Sequence, residues 1–148
     1  MKVLIDTNIM LDVLCKRPDF YEDSAKIFKL CEVKGISGVI SALSILNIMY
    51  ILRKELDPEK TKEILDDLSL IFSIADLKAD DLKKAADMQF KDYEDAVQSA
   101  CAVRIKANYI ITRNIRDFTM SRVAAIKPTE LLERIELHDF QGDAYGRV

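Results

Sequence analysis

The chain begins with MKVLIDTNIMLDVL (residues 1–14), and this stretch gives the clearest indication of the fold. Residues 2–5 are predicted to form a buried strand, because the segment ends in three consecutive apolar residues. The polar triplet Asp6-Thr7-Asn8 follows directly, and the sequence then becomes apolar again. Asp, Thr and Asn often begin helices, since their side chains accept hydrogen bonds from free backbone N–H groups. A strand, a helix cap and a helix would therefore account for the triplet without any chemistry.

The rest of the chain continues this alternation of strands and helices. Strands are predicted over residues 2–5, 36–40, 70–75, 108–111 and 122–126. Helices are predicted over residues 7–15, 20–34, 42–54, 58–68, 76–89, 93–106 and 128–135. This order is typical of an α/β fold with a mostly parallel central sheet. The helix over 42–54 is expected to be well buried, because its apolar positions are nearly continuous. We expect one domain over residues 1–135, followed by a tail over 136–148 that is loose or makes an intermolecular contact.

Composition and charge narrow the class of protein. The chain is 49% apolar and 32% charged, a mixture typical of soluble globular proteins. Its longest apolar runs fall short of the about 20 residues that a membrane helix needs, and its N-terminus lacks the pattern of a signal peptide. We therefore expect a cytoplasmic protein that does not act on membranes. A net charge of −3 gives no general basic surface for nucleic acid, but it is compatible with an acidic site that holds metal ions.

Cysteine and histidine chemistry is disfavoured. Cys15, Cys31 and Cys101 lie far apart in apolar surroundings and form no CxxC motif. We expect buried free thiols rather than a zinc site. The single histidine, His138, argues against a multi-histidine metal site or a histidine general base.

Acidic residues follow two predicted strands and begin one predicted helix. Asp6 follows the first strand, and Asp117 lies about one turn beyond the strand at 108–111. The segment KDYEDA places Asp92, Glu94 and Asp95 at the start of the helix near residue 93. Because ligands of parallel sheets lie outside the carboxyl ends of the strands, these acids could converge on one cleft.

Converging carboxylates favour a hard divalent cation. Like charges held together raise one another's energy unless a cation neutralises them. Mg²⁺ and Mn²⁺ prefer oxygen ligands, and they can activate a water molecule and stabilise phosphodiester cleavage. The individual residues also have simpler explanations. Asp92 and Asp95 could interact with a helix dipole, Asp117 could cap a turn, and Asn114 could adopt a left-handed conformation.

Four segments carry a resemblance to a known family. They are DTNIMLDVL (6–14), SALSILNIMYILRK (41–54), DYEDAVQSACA (92–102) and ITRNIRDF (111–118). In this order, over roughly residues 1–135, they resemble the PIN-domain ribonucleases, above all the VapC-like bacterial branch, many of whose members are toxins of toxin–antitoxin pairs. The resemblance implies a three-layer α/β/α domain whose acidic pocket binds Mg²⁺ or Mn²⁺ and cuts RNA. It also implies an antitoxin partner and, since members of the family are frequently dimers, a homodimer.

The resemblance assigns roles to particular residues. It implies that Asp6, Asp95 and Asp117 are the catalytic metal ligands, with Asp92 as a helper. The supporting polar residues are Thr7 and Asn8, which would shape the pocket, and Thr112 and Asn114, which would orient waters or the acids.

RNA would also need positively charged contacts. Arg113 and Arg116 lie beside the acidic loop and are expected either to contact RNA phosphates or to pair with carboxylates.

One position departs from the family pattern. Members usually have a glutamate in the helix after the second strand, where this chain has Asn47. Asn47 can still ligate a cation or hold a water, but it adds no negative charge. Glu94 could compensate, yet alternation along the helix start is expected to point it away from Asp95. Either the site works with fewer charges, or the chain is a PIN-fold module that binds RNA or protein with weak or lost catalysis.

A receiver domain or metal-dependent phosphatase is a further alternative, since receiver domains also place acids at strand ends. Receivers usually have an acidic pair after the first strand, whereas only Asp6 follows it here. The second predicted strand, ISGVISA, carries no acid. The pattern therefore disfavours this class.

Overall fold

A computed structural model describes residues 1–146 of the chain, with side chains described for residues 1–137. Its central sheet has five strands: β1 (Lys2–Ile5), β2 (Ser37–Ser41), β3 (Ser73–Ala75), β4 (Tyr109–Ile111) and β5 (Ala125–Ile126). The strands lie in the order β3-β2-β1-β4-β5, and every neighbouring pair is parallel. The predicted parallel sheet is confirmed. Because β1 is central, the residue that follows it lies at the middle of the sheet's carboxyl edge.

Helices cover both faces of the sheet. They are α1 (Thr7–Leu14), α2 (Tyr21–Glu32), α3 (Ala42–Leu52), α4 (Pro58–Ile71), α5 (Ala79–Asp87), α6 (Tyr93–Arg104) and α7 (Pro128–Gly146), with a short 3₁₀ helix at Ile115–Phe118. Alternate residues of β1 face opposite layers, as in any strand. Val3 and Ile5 pack with residues of α1 to α4 and α7, whereas Leu4 packs with residues of α6 and the 3₁₀ helix. The fold is the three-layer α/β/α arrangement that the family resemblance implied.

The apolar run at residues 70–75 is divided between two elements, so the predicted six-residue strand is wrong. α4 continues to Ile71, and only Ser73–Ala75 form the strand. Leu68 and Phe72 are buried, whereas Leu70 is exposed, and this spacing belongs to a helix that packs on the core through one face. The strand predicted over 122–126 is likewise shorter, since only Ala125–Ile126 pair with β4.

α3 is less buried than its sequence suggested. Ile48 and Leu52 face the core, but Leu46 is 67% exposed and Tyr50 is 69% exposed. α3 packs on the core through one side only, so its continuous apolar sequence leaves an apolar face in solvent. The prediction of a well-buried helix is therefore wrong.

Two further predictions need correction. Cys15 is exposed at the end of α1, although Cys31 and Cys101 are buried free thiols as expected. α7 continues to Gly146, so the helix end predicted at residue 135 is wrong. The predicted intermolecular contact of this tail, and the side chain of His138, lie outside the described side chains. In residues 1–146, none of the helices is long and apolar enough to cross a membrane.

Candidate active site

Asp6 is fixed by contacts on both sides of the junction between β1 and α1. Its backbone N–H donates to the Ile111 carbonyl at 2.9 Å, which ties the end of β1 to the end of β4. Its carboxylate accepts one hydrogen bond from the Thr7 backbone N–H at 2.9 Å and another from Thr112 Oγ1 at 2.8 Å. Asp6 therefore does cap α1, as the simpler interpretation held. Burial raises the pKa of Asp6, although the bonds from Thr112 and Thr7 oppose this effect.

A second pair of acids stands at the start of α6. Asp92 is the N-cap of this helix, and its Oδ1 accepts from the backbone N–H of Asp95 at 3.2 Å. Burial raises the pKa of Asp95 to about 7, and the negative charges of Asp92, Asp6, Asp117 and Glu94 add to the shift. The acids at the start of α6 therefore interact electrostatically with Asp6 and Asp117, which come from other parts of the chain.

The acids line a single pocket of about 460 Å³ at the carboxyl edge of the sheet. Its carboxylates are Asp6, Asp92, Glu94, Asp95 and Asp117. The other polar residues in its wall are Thr7, Asn8, Asn47, Gln98 and Asn114. Among the described residues that line the pocket, none is Lys, Arg or His. The structure thus brings together nearly all the residues that the sequence singled out for the site.

Thr112 and Asn114 support the pocket from the end of β4. The Thr112 hydroxyl donates to Asp6 and accepts from the backbone N–H of Asn114 at 3.1 Å. Asn114 has a φ of −109°, so the left-handed conformation considered for it is not adopted.

Glu94 contacts Asn47, contrary to expectation. Asn47 Nδ2 donates to Glu94 Oε2 at 3.4 Å, and both side chains line the pocket. The expectation that Glu94 points away from the site is wrong because successive helical side chains differ by about 100°, whereas alternation between opposite faces belongs to strands. Glu94 and Asp95 can therefore reach the same pocket.

A buried polar network below the pocket was missed by sequence reasoning. Ser44 Oγ lies 2.7 Å from Thr7 Oγ1 and accepts from Gln98 Nε2 at 2.5 Å. Gln98 is only 4% exposed, and its Oε1 has no hydrogen-bond partner among the described residues. The sequence feature that could have indicated this network is Gln98, a glutamine within the run of otherwise small, buried residues 96–102.

Arg113 is engaged by a buried acid that the sequence analysis also missed. Asp12 is fully buried in α1, and its carboxylate accepts from Arg113 Nε at 2.8 Å and from Arg17 Nη1 at 3.3 Å. The Arg113 guanidinium also lies 3.8 Å from the centre of the Phe20 ring. Of the two roles considered for Arg113, the ion pair is present, although its partner is not a pocket acid. Arg116 is exposed, and neither arginine lines the pocket.

The donor set fits a hard divalent cation. The polar lining consists of carboxylate, amide and hydroxyl groups, which are the oxygen donors that Mg²⁺ and Mn²⁺ prefer. Gln98, which lines the pocket, also carries a buried amide oxygen, Oε1, without a hydrogen-bond partner among the described residues. Across the described side chains, no group of three or more His, Cys, Asp or Glu residues is already arranged to hold a metal ion. Mg²⁺ commonly uses only one or two carboxylates together with waters and substrate phosphates, so the residues remain suited to it.

Comparisons with known proteins agree with this fold. The family model described as "PIN domain" matches residues 2–116. VapBC2 from Rickettsia felis, solved with a DNA fragment from its promoter, is 20% identical with a TM-score of 0.66, and the match covers 86% of this chain and 98% of that one. FitAcB from Neisseria gonorrhoeae (18%, TM-score 0.66) and DNA-bound VapBC from Salmonella typhimurium (16%, TM-score 0.67) match over the same shares. A search of curated proteins gave no match. Because the family model spans most of the chain, the chain belongs to the PIN domain family.

Proposed function

We propose that the chain is a Mg²⁺- or Mn²⁺-dependent endoribonuclease and the toxin of a toxin–antitoxin pair. The observation that carries this proposal is the pocket in which five carboxylates from three parts of the chain meet without a basic residue in the described lining. Such an arrangement is unfavourable for folding, because like charges raise one another's energy. A cation that binds there would remove this cost.

The chain's own residues have distinct tasks in this proposal. Asp6, Asp95 and Asp117 bind the metal, with Asp92 at the rim and Asn47 as a neutral donor. A metal ion held by these residues would supply an activated water molecule and positive charge opposite the scissile phosphate. Thr112 and the Thr7 backbone N–H hold both oxygens of the Asp6 carboxylate, so this ligand needs little rearrangement. Asn8, Thr7 and Asn114 shape the wall beside it.

RNA approaches a negatively charged pocket, so it needs positive charge nearby. Arg116 is exposed on the 3₁₀ helix that also carries Asp117, and we assign it a phosphate contact. Arg113 is held by Asp12 and keeps this loop in place, so its predicted contact with RNA is the weaker of the two.

The partners we propose are an antitoxin and a second copy of the chain. The structural neighbours are described as VapBC, FitAB and toxin–antitoxin complexes, which supports this assignment. The exposed side chains of Leu46 and Tyr50 on α3 give an apolar surface on which a partner can bind. We expect a dimer by light scattering, and Leu46→Asp should shift it towards the monomer if the two copies meet through this face.

RNA cleavage by purified protein tests the proposed activity. A mixed single-stranded RNA is incubated with Mn²⁺, with Mg²⁺ or with EDTA, using wild type, Asp6→Asn and Asn47→Glu. Asp67→Asn, which makes the same change at an exposed position on α4, is the matched control. We expect cleavage with either metal by wild type and by Asp67→Asn, and none in EDTA or by Asp6→Asn.

Other outcomes lead to the alternative function. If wild type is silent and Asn47→Glu cuts the RNA, the chain is a PIN-fold binding module that has lost catalysis at position 47. If Asp6→Asn cuts as fast as wild type, the pocket is not the site of the reaction.

A further inference from the structure

Glu94 lies in the same pocket as the acids that the proposed function assigns to the metal. It is in the first turn of α6, immediately before Asp95, and it lines the same pocket. Its Oε2 accepts from Asn47 Nδ2 at 3.4 Å, which links the start of α6 to the middle of α3 across the pocket. The neutral amide of Asn47 therefore orients the Glu94 carboxylate without neutralising it.

Glu94 shares this pocket with four other carboxylates, which are Asp6, Asp92, Asp95 and Asp117. Exposed acids in the first turn of a helix are usually explained by the helix dipole. That explanation does not account for the side chain of Glu94 meeting Asn47 in the pocket.

A separate observation indicates that a ligand belongs in this pocket. Gln98 is one turn after Glu94 on α6, and its side chain is buried in the pocket wall. Its Nε2 donates to Ser44, but its Oε1 has no hydrogen-bond partner among the described residues. A buried amide oxygen without a partner is costly, and a bound cation or its waters would satisfy it.

We propose that Glu94 is a metal ligand of this pocket and that Asn47 positions it. The proposal rests on the proposed function, because it concerns the same metal. Because the side chains of residues 47 and 94 touch, a carboxylate at either position reaches the same corner of the pocket. The charge of this corner is therefore supplied from α6 rather than from α3.

Direct measurement of Mn²⁺ binding to the full chain tests the proposal without relying on activity. Mn²⁺ affinity is measured by calorimetry and by the loss of the free-ion electron paramagnetic resonance signal. The variants are Glu94→Gln, Asn47→Glu combined with Glu94→Gln, and Asp6→Asn. Glu136→Gln on α7 is the control, since it removes the same charge from an exposed side chain outside the pocket lining.

We expect Glu94→Gln to weaken Mn²⁺ binding by about tenfold or more, and we expect Glu136→Gln to leave it within twofold of wild type. The double variant should bind within about threefold of wild type, because it returns the carboxylate to the same corner. Circular dichroism checks that each variant is folded.

The remaining outcomes separate the two proposals. If Asp6→Asn abolishes binding while Glu94→Gln leaves it unchanged, the metal site stands and the role of Glu94 is overturned. If Glu94→Gln weakens binding and the double variant does not restore it, carboxylates at positions 47 and 94 do not reach the same corner of the pocket. If wild type binds no Mn²⁺, the proposed function and the role of Glu94 both fail.

Discussion

Two groups of carboxylates in this molecule have opposite surroundings. Asp12 and Asp81 are almost fully buried, and each is held by arginine: Arg113 and Arg17 bind Asp12, and Arg104 binds Asp81 with bonds of 2.9–3.1 Å. The pocket acids face other acids, with no basic residue in the described lining.

The pKa values express this difference. Burial opposes ionisation of Asp81, but bonds from Arg104 and from the Lys78 backbone N–H together hold the pKa of Asp81 below its usual value. Burial and neighbouring acids raise the pKa of Asp95 to about 7. An aspartate therefore stabilises this fold when an arginine pairs with it, and it destabilises the fold when its neighbours are other acids. Paired acids hold elements of this fold together, and unpaired acids mark the place where a ligand would bind.

The largest effect is expected from removing an arginine that pairs with the fully buried Asp12. Arg113→Ala leaves this carboxylate with Arg17 as its one cation among the described side chains, and Arg17 is more exposed and makes the longer contact. We expect the free energy of unfolding to fall by about 3 kcal/mol. Urea denaturation measures it, with Arg116→Ala as the control, which should change it by less than about 0.5 kcal/mol. Equal effects of the two variants would show that Arg113 is not the structural partner assigned here.

A smaller loss is expected when Asp81 loses its partner. Arg104→Ala should lower the free energy of unfolding by about 2 kcal/mol at pH 7, because the Lys78 N–H still donates to Asp81. The pKa of Asp81 is lowered in the folded chain, so the stability that the pair contributes is present above the unfolded pKa and is lost as the pH falls through the folded pKa. The difference between wild type and Arg104→Ala should therefore shrink in urea titrations below pH 4. A difference that stays constant down to pH 3 contradicts this assignment.

Removing a pocket acid should raise the free energy of unfolding instead of lowering it. The folded pKa of Asp95, about 7, lies above its ordinary value of 3.8, so the folded chain binds the proton more strongly. Without metal, the free energy of unfolding should fall as the pH rises from about 4 to about 7. In EDTA at pH 8, Asp95→Asn should be more stable than wild type by about 1–2 kcal/mol, and its pH profile should be flatter. Finding the variant less stable than wild type at pH 8 would rule out repulsion at this site.

The smallest effect is expected from an exposed ion pair. Lys84 lies 3.0 Å from Asp80 on α5, and both side chains are largely exposed. Lys84→Ala should change the free energy of unfolding by less than about 0.5 kcal/mol, and that small change should disappear in 1 M salt. If Lys84→Ala lowers the free energy of unfolding as much as Arg104→Ala does, burial does not decide how much an ion pair of this protein contributes to stability.

The sequence by itself determined the α/β class, the parallel sheet and most of the pocket. The polar residues that directly follow β1 and β4, Asp6 and Thr112, are local patterns, and parallel strands necessarily bring their carboxyl ends to one edge. Helix caps such as Ser41, Asp57 and Asp92 are local as well, since a cap depends only on the next three residues.

Only the tertiary structure decided which side chains meet across elements. The partner of Asp12 is 101 residues away in Arg113, and the contact between Asn47 and Glu94 spans 47 residues. The exposure of Leu46 and Tyr50 depends on which side of α3 the core covers. Such contacts arise from the docking of helices on the sheet, and local spacing does not encode that docking. The sequence therefore located the pocket acids, and the fold decided which other acids are neutralised by arginine.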